Sequence, residues 1–329
     1  GWLPLGGYVK IAGMIDESMD KEQMEKPAQE WEFRSKPAWQ RLIIMLGGVI
    51  VNVVLGVFIY SMTLYFYGDR YLPNKNITDG VWCSDSLAFE LGFKNGDKFI
   101  SADGKKIDRF SDVLEKIILS KNITVERENS LVEVNMPNNV VDLFLNNPQK
   151  MIIYPRIPVV ISSFSESSNA KKHGLMVNDM IVGIGGKSIN YFDEIKPLLA
   201  EKAGQEVAIT VKRDEEIFTH FVPVSEDGRI GFAPAIPSFT QLEKLETYKM
   251  AYFKYSFLAC FPAGYKKAVK KLKSYIDQFA LILSPSTGAY KGLGGFGAIG
   301  SMFPASWNWE VFWNLTAFLS LMLAFMNLL

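Results

Sequence analysis

The chain has 329 residues, more than one ordinary domain needs, so two or three are expected. Its 35 basic residues balance its 35 acidic ones, and no run of like charge is long enough to form a nucleic-acid arm, so no nucleic-acid partner is expected. The two cysteines, Cys83 and Cys260, lie far apart and match no metal spacing. Free buried thiols are the plain reading and a disulfide the alternative.

Residues 1–37 are polar and irregular behind a glycine-rich start, Leu5-Gly6-Gly7-Tyr8-Val9. Gly6 and Gly7 permit a turn or a close backbone approach, and Tyr8 to Ile11 reads as a short strand. Asp16 to Glu32 is acidic and reads as a solvated loop or short helix.

Leu42 to Tyr67 then runs 26 residues without a charge. About 20 apolar residues suffice to cross a hydrocarbon core, so residues 38–68 are expected to form a transmembrane helix. Trp39, Tyr60, Tyr65 and Tyr67 lie near its ends, as an aromatic belt does. Arg34, Lys36 and Arg41 precede it, whereas only Arg70 and Lys75 follow closely, beside Asp69. That bias puts its start in the cytoplasm and the following residues outside.

Two copies of one pattern follow, 82 residues apart. The first has Gly92, Asp97, Asp103-Gly104 and Ile107; the second has Gly174, Asp179, Gly185-Gly186 and Ile189. Ala88 and Ala170 hold the register upstream, and Phe110 and Phe192 downstream. Ile123-Thr-Val-Glu-Arg127 answers Ile209-Thr-Val-Lys-Arg213. Repetition at such a period means two copies of one small domain, placed at residues 69–150 and 151–235. Each combines short β-branched runs with a helical stretch, as a small mixed barrel does. The closing strands of the first copy, within the asparagine-rich residues 128–157, are hard to place.

In residues 236–305, apolar positions recur at near-helical spacing from Leu242 to Phe279, interleaved with Lys266, Lys267, Lys270, Lys271 and Lys273. Two readings stand: a helix lying on a membrane surface, or one packed on the second module. Ser284 to Pro304 reads as a glycine-rich linker. Residues 306–329 are expected to form a second transmembrane helix, with Trp307, Trp309 and Trp313 at its start. The chain has no start methionine and stops inside a hydrophobic run, so it reads as an internal fragment.

His173 and His220 lack the neighbours of a zinc-binding helix and read as surface or structural residues. No nucleophile–base pair or carboxylate pair follows from spacing, so no catalytic or metal residue is named. Asn52 and Asn327 are amides at membrane depth, where they tend to bind another helix, a backbone or a substrate. Gly47, Gly48 and Gly56 favour close helix packing beside Asn52.

Phe33-Arg-Ser-Lys-Pro-Ala-Trp-Gln-Arg41 running into a transmembrane helix resembles the site-2 protease family, specifically its RseP-type bacterial zinc metalloproteases. Pro4 to Lys10 is similar to the segment after that family's zinc-binding helix, the repeats to its tandem PDZ domains, and Met326 to Leu329 to the start of its Asn-x-x-Pro-x-Pro-x-Leu-Asp-Gly motif. One departure is Val49 after Gly48, where the family has proline.

The resemblance implies a multi-pass α-helical membrane protein with two inserted tandem PDZ domains, in a bacterial inner membrane with the PDZ domains extracytoplasmic. It implies intramembrane cleavage of transmembrane substrates, such as anti-sigma factors or signal-peptide remnants, by a Zn2+ whose ligands fall outside this chain. The fragment alone is then expected to be inactive. It further implies that Gly6, Gly7, Tyr8 and Val9 form a re-entrant edge that holds substrate, and that Asn327 clamps substrate backbone. The PDZ domains then bind a peptide terminus or act as a size filter, and the lysine-bearing stretch couples them to a gate. The rival is a non-catalytic, membrane-tethered PDZ adaptor. A soluble PDZ serine protease leaves both apolar spans unexplained.

Overall fold

The structure is a computed structural model that describes residues 11–14, 27–147, 151–235 and 248–329. The chain divides into two compact units. One comprises Gly1–Tyr67, Tyr255–Tyr275 and Gly300–Leu329; the other comprises Gly68–Lys254 and Ile276–Ile299.

The first unit is helical. Helix α1 spans Ala38–Tyr67. Pro37 precedes it, and its carbonyl accepts the N–H groups of Gln40 and Arg41 at 3.0 and 3.2 Å. A proline fits there because the missing N–H would have no intrahelical partner. The helix begins four residues before the uncharged run, since Ala38 to Arg41 continue its first turn. Thirty residues at 1.5 Å each give about 45 Å, longer than a hydrocarbon core of about 30 Å.

The β-rich unit holds two similar modules. In the first, β2 (Val81–Cys83) pairs antiparallel with β7 (Ile153–Pro155). Beside them lies a four-stranded sheet, in order β4 (Lys105–Lys106), β3 (Lys98–Ala102), β5 (Asn122–Arg127) and β6 (Ser130–Asn135). The residues that resisted placement therefore form β6, helix α4 (Val140–Asn146) and β7. In the second module the order is β12 (Glu216–Pro223), β11 (Glu206–Arg213), β9 (Met180–Ile184), β8 (Val159–Phe164) and β13 (Phe232–Pro234), with β10 (Lys187–Ser188) on β9. Strands β3 and β9, and β4 and β10, keep the 82-residue offset. So do the short helices α3 (Val113–Leu119) and α6 (Ile195–Ala200) at their starts.

Alternation builds each core. Val207, Ile209 and Val211 of β11 face inward while Ala208 and Thr210 do not, the period of a half-buried strand. Each such side chain contributes about 1.5–3 kcal/mol by leaving water. Phe93, Phe99, Ile123 and Val125 fill the equivalent volume of the first module.

The repeated aspartate and arginine form the same clamp twice. Arg127 donates from Nε and Nη2 to Asp97 at 2.8 and 2.7 Å, and from Nη2 to the Gly92 carbonyl at 2.8 Å. Arg213 holds Asp179 at 2.6 and 2.8 Å and reaches the Gly174 carbonyl at 3.1 Å. Both carboxylates are fully shielded from water, where a charge is tolerated only with such pairing. Gly92 and Gly174 have φ of +93° and +94°, a backbone region that favours glycine.

Two short strands, β1 (Asp69–Tyr71) and β14 (Ala251–Phe253), pair antiparallel within the same unit, and Arg109 caps them through Asp69 and the face of Tyr71. After β14 the chain enters helix α7 (Phe257–Ile282). The predicted linker is partly ordered: turns over Pro285–Thr287 and Ala289–Gly292 precede a short helix α8 (Phe296–Ser301). Thr287 Oγ1 donates to the carbonyls of Leu281 and Ser284, and Lys291 pairs with Asp142 at 2.7 Å. These side-chain bonds hold a stretch whose glycines carry no periodic signal. Helix α9 (Trp309–Met326) closes the chain.

Candidate functional site

The helical unit brings α1, α9 and the first part of α7 together. Asn308 caps α9 by accepting the Val311 N–H at 3.0 Å, and Glu310 lies in the first turn, where the helix dipole favours an anion. Both α1 and α9 are long and apolar enough to cross a membrane.

Small residues permit close approach at the α1–α9 crossing. A Cβ on Gly56 would lie 2.9 Å from the Leu321 side chain and 3.2 Å from the Ala317 carbonyl. Ser320 Oγ donates to the Asn52 carbonyl at 2.8 Å. Trp313 lines one groove with Met62 and Phe66, Ala317 lies at Gly56 and Ser320 at Asn52, so rising numbers on α9 meet falling numbers on α1 and the two helices run antiparallel. Asn52 thus does form an interhelical hydrogen bond, but through its backbone rather than its amide. A Cβ on Gly47 or Gly48 would meet nothing within 4 Å among the described residues, so of the three glycines only Gly56 serves this contact.

Helix α7 packs on the same pair. Gly264 lies against Ser61, where an added Cβ would fall 2.7 Å from Ser61 Cα. Ala268 joins Ile59, Tyr60, Ala317 and Leu321 in one buried cluster. Lys267 Nζ donates to Asn314 Oδ1 at 2.7 Å and lies 5.1 Å from the Tyr60 ring centre. A groove of about 440 Å³ opens along Phe58, Met62, Phe66 and Trp313.

Asn327 is the C-cap of α9 and is exposed, with its backbone N–H donating to Leu323 O at 3.0 Å. Its carboxamide offers two donors and one acceptor group, the complement of an extended peptide backbone. Seven residues separate it from Ser320, about 10 Å along the helix, so the two asparagines are not brought together. Gly6, Gly7, Tyr8 and Val9 lie outside the described residues.

No group of three or more His, Cys, Asp or Glu side chains among the described residues is arranged to hold a metal ion. The donor set described here does not fit Zn2+. His173 Nδ1 lies 2.8 Å from the Asn169 carbonyl, and His220 packs on Gly174. Burial pushes the Cys83 thiol up to about 12, so it stays protonated at neutral pH and is no nucleophile. Both cysteines are free and buried.

Sequence reasoning missed the junction between the two β modules. Trp82 of β2 meets Phe192 edge-on, ring centres 4.9 Å apart. Arg156, just after β7, donates to Asp193 at 2.7 Å and stacks over Tyr191. Tyr248 donates its hydroxyl to the Arg156 carbonyl at 2.5 Å. Burial raises the Asp193 carboxyl above the usual range, against the pull of Arg156. The partners lie 37 and 92 residues apart with no shared period, so no sequence signal marks the junction.

The sequence profile of peptidase family M50 matches residues 1–329. A Haemophilus influenzae protein named regulator of sigma E protease is 24% identical over 257 residues, covering 73% of this chain and 55% of its own. A Brucella suis protein named, provisionally, a zinc metalloprotease is 31% identical over 150 residues, covering 43% and 38%. The metalloprotease MmpA of Caulobacter vibrioides is 27% identical over 157 residues, covering 43% and 39%. The chain thus spans between about two fifths and just over half of the length of these relatives.

Proposed function

The chain belongs to peptidase family M50, and from that membership we propose that it is the central part of a zinc-dependent intramembrane metallopeptidase. Helices α1 and α9 cross the bilayer, and the two β modules are tandem PDZ domains on the extracytoplasmic side that filter substrates or bind a peptide terminus. The substrates are transmembrane proteins of the anti-sigma-factor kind, a class to which the name of the Haemophilus relative points. Zn2+ bound by residues outside those described would polarise the scissile carbonyl and activate a water. The observation that carries the reading is the match along the whole chain, together with the close antiparallel packing of its two apolar helices.

This chain contributes substrate handling. Cleavage inside a helix requires the segment to unwind, which frees backbone donors and acceptors that have no water to bond in a bilayer. Gly6, Gly7, Tyr8 and Val9 would hold that segment by backbone hydrogen bonds, as in β-augmentation. Asn327, exposed at the end of α9, offers its amide.

The test is cleavage of a tagged transmembrane substrate by the longer protein that contains this chain. Asn327→Ala is expected to lower kcat/KM about tenfold, the worth of one to two hydrogen bonds, with thermal stability unchanged. An unchanged kcat/KM would remove Asn327 from the substrate site.

A further inference from the structure

The helical unit leaves a groove open at the C-terminal end of α1. Its floor is Ile59 and Thr63, both buried, and its walls are Phe58, Met62, Phe66 and Trp313. Tyr67 is its last lining residue along α1. Thr63 donates its hydroxyl to the Tyr60 carbonyl at 2.9 Å, so the one polar side chain on the floor is already bonded. An unwound peptide segment, with backbone donors and acceptors to satisfy, finds no partner along that floor. The groove calls for an apolar occupant, and Phe58 at 50% and Phe66 at 71% exposure leave room for one.

Glu310 is the last charge before the uncharged run of α9, and Trp313 lies three residues farther in. Indoles favour the level where hydrocarbon meets headgroups, so the groove opens at that level. From Tyr67 to Phe58 it follows α1 for nine residues, about 14 Å and close to half of a hydrocarbon core of about 30 Å. Its length matches one leaflet. A volume of about 440 Å³ over about 14 Å gives a mean section of about 30 Å². A helix with its side chains is about 10–12 Å across, a section of at least about 80 Å², and is too wide. One extended alkyl chain, with its carbons about 4 Å from those it faces, fits.

We propose that this groove seats one acyl chain of a phospholipid, in the leaflet where α1 ends. The chain runs inward from Tyr67 to Phe58, and the ester and headgroup stay at the level of the tryptophans. The proposal rests on α1 and α9 crossing the bilayer, and it does not depend on proteolysis.

The test uses the longer protein containing this chain, in phosphatidylcholine vesicles with a trace of phosphatidylcholine that carries a photoreactive diazirine on one acyl chain. The diazirine sits either near the ester or at the methyl end, and the cross-links are mapped by mass spectrometry. The near-ester probe should label Phe66, Tyr67 and Trp313, and the methyl-end probe Phe58 and Ile59. Val51 and Val54, exposed on the same helix, report ordinary contact with the bilayer. Met62→Trp fills the groove. It should lower methyl-end labelling of Phe58 and Ile59 about tenfold, the effect of losing roughly two buried methylenes, with labelling of Val51 and Val54 unchanged. The unsubstituted protein's labelling pattern decides the matter even where that variant fails to fold.

Groove residues labelled no more than Val51 and Val54, and without order in depth, would reduce the contact to ordinary bilayer and overturn the proposal. Unlabelled groove residues beside labelled Val51 and Val54 would mean that a protein segment fills the groove, and would overturn the lipid seat alone. No lipid label anywhere on α1 or α9 would overturn the bilayer-crossing reading and this proposal with it.

Discussion

Replacing Arg213 with Met removes both cationic hydrogen bonds to Asp179 and keeps most of the side-chain volume. The carboxylate is fully shielded and would retain the Met176 N–H at 2.8 Å. Breaking one half of a buried pair costs about 3–5 kcal/mol, because the remaining charge has neither partner nor water. The lost bond to the Gly174 carbonyl adds to this, while the 23% exposure of Arg213 argues for the lower end of the range. Hydrogen exchange of the β11 amides reads the effect locally. At about 1.4 kcal/mol per tenfold, protection should fall by roughly two to three orders of magnitude, while β5 of the other module keeps its protection. Asp179→Leu/Arg213→Met should lose less than Arg213→Met alone, since no orphan charge remains. A loss under about 1 kcal/mol, or a double variant that loses the sum of the two single effects, would refute the reasoning.

Four further outcomes are expected. Burial alone would raise the Asp179 carboxyl, but the Arg213 hydrogen bond, the Met176 N–H and the Arg213 charge hold it below its ordinary value, so its contribution is present above the unfolded value and is lost as pH falls through the folded one; acid titration of stability should flatten on that side in Asp179→Asn. Gly264→Ala should lower the thermal midpoint by the equivalent of about 1–3 kcal/mol through collision with Ser61, whereas Gly47→Ala, with open space around it, should gain up to about 1 kcal/mol in helix propensity; equal midpoints in detergent would contradict the packing. Trp82→Ala should cost about 3–5 kcal/mol and loosen the module junction, seen as faster exchange at Phe192–Glu194. A folded domain fused to the outer end of a substrate should slow its cleavage, and excising residues 69–235 should restore the rate; indifference to the fusion would remove the filtering role.

The two apolar spans and the repeat were legible because they rest on period and charge exclusion. Both report directly on which solvent a face meets. Asp97 and Asp179 stood out as repeated letters, yet their pairing with Arg127 and Arg213 needed the antiparallel register of β3 with β5 and β9 with β11. Asn52 was read as an amide contact, but the bond runs through its carbonyl, which every residue possesses. Residues 284–304 read as plain linker because Thr287 orders them through local side-chain bonds that leave no periodic signal, and Lys291 through Asp142, which is distant in sequence. The Arg156–Asp193 junction was invisible for the same reason. Asn327 enters the proposed substrate site only through resemblance, since neither period nor charge marks it.

The most direct measurement is to purify the longer protein containing this chain, place it in proteoliposomes with a transmembrane substrate, and map the cut by mass spectrometry. The account predicts cleavage inside the substrate's apolar segment, abolished by a zinc chelator and restored by Zn2+. An intact, well-folded protein that binds the substrate but leaves it uncut with Zn2+ present would contradict it, and would make the scaffold a membrane-tethered adaptor.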